Sequence, residues 1–214
     1  MTGTDTGVGK TVVSAALLVR GFQTPLRYWK PIQTGIEHDD DTAEVRRLSG
    51  VSAAAVLDAG VRLPRPLSPH LSAELAGTVI DLDGVLRIAQ SQPHAGSWII
   101  EGVGGALVPL NGQELIADLM TRLAVPALVV TRAGLGTINH TLLTLEALAR
   151  RSIPIAGVIM VGPPNADNRR AIERYGHTLV LGELPLFDQL TPDALRRWAE
   201  QSLDREGCLS TLLQ

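Results

Sequence analysis

The sequence is poor in aromatic rings, cysteine, lysine and long apolar runs, and each scarcity excludes something. Aromatic residues make up 3% of its 214 positions and the formal net charge is -3. Few rings are left for bases to stack on, and no basic footprint offers itself to a phosphate backbone. Nucleic acid is therefore not an expected partner. The one cysteine, Cys208, has no mate, so neither an internal disulfide nor a cysteine zinc site can form, which fits a reducing compartment. No apolar run approaches the roughly 20 residues a membrane helix requires, and the first residues are polar and glycine-rich rather than leader-like. A cytoplasmic protein without a membrane partner is the expectation. Of the 19 basic residues only Lys10 and Lys30 are lysines, which leaves 17 arginines. Arginine serves solubility well but does not replace a compact ammonium at a phosphoryl site, so these two positions are candidates for chemistry.

What is present suits one folded domain over residues 1–214, with 45% apolar and 19% charged residues. Apolar runs alternate with segments of helical period, which predicts an α/β domain, a mostly parallel sheet with helices on both faces. Strands are expected at Leu26–Lys30, Ser97–Glu101, Ala127–Thr131, Ile155–Val161 and Thr178–Gly182. Helices are expected at Thr11–Phe22, Thr42–Leu48, Leu82–Gln90, Leu115–Leu123, Ile138–Arg151, Asn168–Tyr175 and Pro192–Leu203, with Asp81 and Thr191 as N-caps. The arginine pairs beginning at Arg150, Arg169 and Arg196 read as solvated helix faces. The stretch Ala59–Gly77 carries Pro64, Pro66 and Pro69. It reads as an irregular loop, neither central strand nor helix interior, with Ser68-Pro69-His70 as a candidate substrate wall.

The strongest motif is Thr2-Gly-Thr-Asp-Thr-Gly-Val-Gly-Lys-Thr11, which runs directly into the helical pattern beginning Val12-Val-Ser-Ala-Ala. Glycines let successive N–H groups curl around an anion, the helix adds the positive end of its dipole, and Lys10 can reach the outer phosphates. Thr11 then offers a hydroxyl to Mg²⁺. Five residues separate Gly3 from Gly9, one more than in the strict phosphate-loop spacing. Such a loop leaves the end of a buried strand of about 5–6 residues, yet only Met1 and Thr2 precede Gly3. The expectation is that the first strand is truncated and that the native start lies upstream.

Magnesium on a triphosphate takes one or two carboxylates besides the loop hydroxyl. Glu101 ends the strand pattern Ser97-Trp-Ile-Ile and leads into Gly102-Val-Gly-Gly105, and Asp41 closes the run Asp39-Asp40-Asp41 before a helix. Lys30 ends the second strand in Lys30-Pro-Ile-Gln-Thr-Gly35. All three would emerge at the C-terminal edge of a parallel sheet, where α/β ligands bind. Two ammonium groups and a metal at one place suit phosphoryl transfer, whose catalysis is positioning and charge stabilisation.

These segments, with Ser68-Pro-His70, Gly134-Leu-Gly-Thr-Ile-Asn-His140 and Gly182-Glu-Leu-Pro185, together resemble the dethiobiotin synthetases, a P-loop NTPase-like family, and span most of the chain in that family's order. The resemblance implies an ATP- and Mg²⁺-dependent homodimer. It would close 7,8-diaminopelargonate with CO2 (or bicarbonate) to a cyclic urea through a phosphorylated carbamate, in biotin biosynthesis. It implies catalytic roles for Lys10, Lys30 and Thr6, and Mg²⁺ ligation by Thr11, Asp41 and Glu101. Nucleotide contacts would come from Gly7, Val8, Gly9, Lys10, Thr11 and Val12, from Glu101, Gly102, Val103 and Gly104, and from Pro185. Substrate contacts would come from Thr34, Gly104 and Asn139. His140 keeps two readings, part of the dimer-side substrate region or a buried, hydrogen-bonded histidine. Rival readings are an ATPase switch of the partition and septum-site type and a non-catalytic nucleotide-binding relative. The first would carry a further lysine near the loop start, where Thr4 and Asp5 stand.

Two positions depart from the family pattern. Gly7 stands where other members carry glutamate, so no carboxylate role is assigned there. Val161-Gly162-Pro163-Pro164 replaces the segment in which an asparagine helps recognise adenine. The phosphates are then expected to carry most of the nucleotide affinity, and other triphosphates to substitute for ATP. Competition among ATP, CTP and GTP checks this; a strong preference for ATP would defeat it.

Overall fold

The computed structural model describes residues 1–92 and 96–213. Strands β1 (Thr2–Gly3), β2 (Leu26–Trp29) and β3 (Ile32–Thr34) alternate with helices α1 (Lys10–Arg20) and α2 (Asp41–Ser49). Next come β4 (Val56–Leu57), β5 (Val61–Leu63), α3 (Pro69–Leu75), α4 (Leu82–Gln90), β6 (Ser97–Ile100) and α5 (Ile116–Leu123). The chain continues through β7 (Ala127–Arg132), α6 (Thr137–Ala149), β8 (Ile155–Val161), α7 (Ala166–Gly176), β9 (Val180–Leu184), α8 (Pro192–Ser202) and α9 (Cys208–Leu212). Among the described residues no helix is long and apolar enough to cross a membrane.

Among the described residues the named strands all pair in parallel, in the orders β1-β7-β8-β9, β4-β2-β6 and β3-β5. The first two sheets meet where β6 passes β1: Gly102 N donates to Met1 O at 2.9 Å, and Gly3 bridges Gly105. The chain leaves β1 toward β2 on one side of this seam, while β7 pairs with β1 on the other. That reversal opens a crevice at the strands' C-terminal ends. Alternation along the strands explains why both faces are covered. On β7, Leu128 and Val130 enter one core with Val13, Leu17 and Trp198, beneath α1 and α8. Its Ala127 and Val129 enter another with Leu145, Leu148 and Ile172, beneath α6 and α7. A third core around Trp29, Ile32, Leu82 and Leu119 lies under α4 and α5. Two-sided burial is what parallel strands require.

The expected α/β architecture is what forms, with shifts at element ends. Helix α1 stops at Gly21, held at φ 72°, rather than at Phe22. Strand β9 begins at Val180 rather than Thr178, because His177 takes a left-handed conformation after α7 and residues 178–179 complete the turn. Asp81 and Thr191 occupy N-cap positions, and Thr191 accepts from Ala194 N. Two readings need correction. The proline-rich stretch is not irregular throughout. It holds β5, which pairs with β3, and α3, whose first turn tolerates Pro69 because a proline there removes no helical hydrogen bond. Arg169 is not a solvated cation: it is half-buried and donates to Glu173, Glu183 and the Val180 carbonyl, tying α7 to β9.

Gly60 lets β5 approach the turn after Lys30. Its φ is 135°, and an added Cβ would lie 2.3 Å from the Pro31 oxygen, which accepts from Val61 N at 2.8 Å. Gly60→Ala is expected to destabilise the fold by about 2 kcal/mol, although the position is exposed. Thermal or denaturant unfolding measures this, and an unchanged midpoint would contradict the steric account.

Candidate active site

The loop between β1 and α1 turns on glycines whose conformation a side chain would strain. Gly7 and Gly9 have φ values of 69° and 98°, and a Cβ on Gly9 would also lie 3.2 Å from Val161 Cγ1 at the end of β8. Helix α1 therefore starts at Lys10 with its N–H groups and dipole turned to the loop. Lys10 is 6% exposed, and its Nζ donates to the Asp5 carbonyl at 3.1 Å across the loop. From outside, Arg132 Nη2 donates to the Thr6 carbonyl at 3.3 Å. Burial, the largest influence, lowers the Lys10 pKa to about 8; neighbouring Lys30 adds to this, while Glu101, Asp41 and Asp5 oppose it.

Behind the loop, four donors surround one carboxylate. Glu101 is fully buried; its Oε1 accepts from Lys30 Nζ at 2.9 Å and Thr11 Oγ1 at 3.2 Å. Its Oε2 accepts from Ser14 Oγ at 2.6 Å and Tyr28 OH at 3.2 Å. Thr11 and Ser14 lie three residues apart and share a face of α1, while Tyr28 and Lys30 lie two apart and share a side of the strand path. Ser14 and Tyr28 escape a motif search because neither belongs to the loop signature and only the fold brings them to Glu101.

The aspartate run divides its labour. Asp40 caps α2, accepting from Thr42 N and Ala43 N. Asp41 turns inward, where Oδ2 meets Lys30 Nζ at 2.5 Å and Oδ1 accepts from Thr11 at 2.6 Å. Burial alone would lower the Lys30 pKa, but Glu101 and Asp41 outweigh it and hold the ammonium above its ordinary value. Burial likewise works to raise the Asp41 pKa, and Lys30 and Thr11 outweigh it, so this carboxyl stays below the usual range.

These groups border a cleft of about 710 Å³. Thr6, Gly7, Gly9, Lys10, Thr11 and Val12 form one wall, and Lys30, Thr34, Asp41, Val103 and Gly104 another. Ser68 and Pro69 close a third side, with Asp39 of the acidic run and His38, which the motifs did not single out. Glu101 lies one layer behind Thr11 and Lys30 rather than on the wall. Val8 is buried beneath the loop; Gly102 and Pro185 stand outside the cleft wall, Pro185 just beyond β9. Asn139 is exposed on α6, away from the cleft. His140 is exposed too and lines a smaller hollow with Thr6, Leu107 and Leu143, which corrects the reading of a buried histidine. At the end of β8 the nearby amides are engaged: Asn165 caps α7 and Asn168 Nδ2 donates to the Ala133 carbonyl at 2.8 Å.

Thr11 and Asp41 set a hydroxyl and a carboxylate on the cleft wall, with the buried Glu101 carboxylate within hydrogen-bond reach of Thr11 behind them, a donor set that fits a hard divalent cation. Among the described residues no three His, Cys, Asp or Glu side chains cluster to hold a metal alone. Such a cation needs oxygens from a bound phosphate chain as well, as Mg²⁺ does.

The family model described as an AAA domain matches residues 1–194. The ATP-dependent dethiobiotin synthetase BioD of Agrobacterium fabrum is 45% identical over 197 residues, 92% of this chain and 90% of that protein. Its namesake in Brucella ovis is 47% identical over 195 residues, 91% and 89% of the two chains. The biotin biosynthesis bifunctional protein BioCD of Bordetella avium is 43% identical over 212 residues, 99% of this chain but 44% of that protein. The structure of a ParA family ATPase from Chlorobium tepidum TLS aligns with a TM-score of 0.55 at 12% identity, covering 94% of this chain and 97% of that one, a likeness of fold alone. With two ammonium groups and two carboxylates converging behind a lengthened phosphate loop, and with identity of this level along nearly its whole length, the chain belongs to the ATP-dependent dethiobiotin synthetase family.

Proposed function

We propose that this enzyme closes 7,8-diaminopelargonate with CO2 to dethiobiotin at the expense of ATP. The observation that carries the reading is the meeting of Lys10, Lys30, Thr11, Asp41 and Glu101 at one sheet edge. The triphosphate lies along the loop, its oxygens taken by the N–H groups at the start of α1 and by Lys10. Thr11, Asp41 and, behind them, Glu101 would hold Mg²⁺ together with the phosphate oxygens, and the bound ion would neutralise charge on the phosphates.

One amine of the diamine adds to CO2 and loses a proton, giving a carbamate. A carbamate oxygen attacks the γ-phosphorus in line, and the bond to ADP breaks. The second amine then attacks the carbamoyl carbon, phosphate departs, and loss of the amine proton leaves the cyclic urea. Negative charge sits on the carbamate and spreads over the transferring phosphoryl group. Lys30, kept protonated by two acids, and Lys10 stand where they oppose that charge without reorganising. Thr6, at the loop tip, and Thr34, on the opposite wall, contact the reacting groups. Gly104 lets the diamine pass close to the backbone.

The same reading includes a homodimer in the cytoplasm. Its support is the smaller hollow, where the exposed Leu107 and Leu143 line the wall with His140, the neighbour of the exposed Asn139 on α6. A second copy there brings Asn139 to the diamine.

Incubation with the diamine, bicarbonate, Mg²⁺ and ATP should yield dethiobiotin, detectable by mass. ATP turnover without the cyclic urea would sink the reading. Lys30→Met is expected to lower kcat by about 10²–10³-fold while ATP still binds; a purely nucleotide-binding role would leave turnover of any substrate indifferent to the change. Burial lowers the Lys10 pKa to about 8, so above that pH its ammonium is increasingly lost and metal-free ATP affinity should begin to fall. It should then weaken by up to about tenfold per unit above it. Calorimetric titrations across this range test the sign, and affinity that strengthens with pH would contradict the role of Lys10.

A further inference from the structure

Gln33 is completely buried on β3, and burying an amide is costly unless its polar atoms find partners. Its partners are all in the segment that presents Asp41. Nε2 donates to the Asp39 carbonyl at 3.2 Å and to Asp40 Oδ1 at 3.3 Å, and Oε1 accepts from Thr42 Oγ1 at 3.4 Å. The segment it grips is otherwise exposed from Ile36 to Asp40 and is tied to the body mainly by backbone bonds near Gly35 and Leu63. Asp40 Oδ1, one of the acceptors, is also the atom that takes Thr42 N and Ala43 N to start α2. Displacing this amide would free the helix start, and with it the carboxylate that meets Thr11 and Lys30.

We propose that Gln33 is a positioning residue that holds the Asp39–Thr42 helix start so that Asp41 is aimed at the metal-bearing face of the cleft. The inference rests on the reading that Asp41 helps hold the nucleotide's metal. An amide is the suitable group because it donates to a carbonyl and a carboxylate at one end while accepting a hydroxyl at the other. Glutamate would set a second carboxylate against Asp40, and methionine would offer neither partner.

The test measures affinity for a non-hydrolysable ATP analogue, first in EDTA and then with Mg²⁺, for the wild type, Gln33→Met and Asp40→Ala, with thermal midpoints alongside. For Gln33→Met the affinity in EDTA should be unchanged, while the gain on adding Mg²⁺ falls about tenfold. Asp40→Ala, which removes the cap on Thr42 N and Ala43 N as well as one Gln33 contact, should shift the same gain in the same direction by at least as much. Should Gln33→Met not yield folded protein, Thr42→Val, which removes a Gln33 partner and leaves the Asp40 cap in place, carries the test, its Mg²⁺ gain falling while affinity in EDTA is unchanged. Equal losses with and without Mg²⁺ would mean general structural damage and overturn the proposal, as would an undiminished Mg²⁺ gain in the variants. A wild type that gains nothing from Mg²⁺ would instead overturn the metal reading of the cleft, and this proposal with it.

Discussion

The Glu101 carboxylate, sealed from water and gripped by Thr11, Ser14, Tyr28 and Lys30, is the constraint around which the rest is arranged. A buried carboxylate and a buried ammonium each carry a desolvation penalty of several kcal/mol, offset only when geometry and further hydrogen bonds are good. Here the acid sits at the end of β6, the ammonium beyond β2, two hydroxyls come from α1 and a third from β2. Three hydroxyls from α1 and β2 and an ammonium from the turn after β2 can meet one carboxylate only if those segments are seated correctly. The polar cluster therefore locks α1, and hence the phosphate loop, to the central strands.

That lock explains how a strand as short as Thr2–Gly3 can serve the loop. The residues flanking it are held from both sides, by β7 in register with Val129 and Val130 and by the β6 end through Gly102 and Gly105. The crevice at this seam receives chemistry from elements far apart in the chain: the loop, the turn after β2, the start of α2 and the glycine-rich segment after β6. Charge is arranged there in advance. Lys30 is kept cationic and Asp41 anionic by one another, while Lys10, with its acids more distant, is the more readily deprotonated. Preorganised charge of this kind suits a reaction whose demand is electrostatic.

Much of this was legible in the residues. The loop spacing, the two isolated lysines, and the acids at strand and helix ends all pointed to one sheet edge, because parallel strands deliver their C-terminal residues to a common place. Short elements were less legible. β3 and β5 are three residues each and stabilise one another only by pairing, so neither has a pattern long enough to stand out against the prolines around it. Arg169 looked like any surface arginine, since its partners Glu183 and Val180 lie on a neighbouring strand. Gln33 and Tyr28 gave no signal either, as their meaning lies entirely in what they touch.

The residues alone determined the α/β class, the anion-binding loop and the identity of the charged groups, because these follow from hydrophobic period, glycine conformation and side-chain chemistry, all local properties. Folding decided which aspartate caps and which faces the cleft, that Glu101 stands behind the wall rather than on it, and which neutral side chains hold the acids in place. Those outcomes depend on distances between segments tens of residues apart, and burial then converts each distance into a free energy that no local pattern contains.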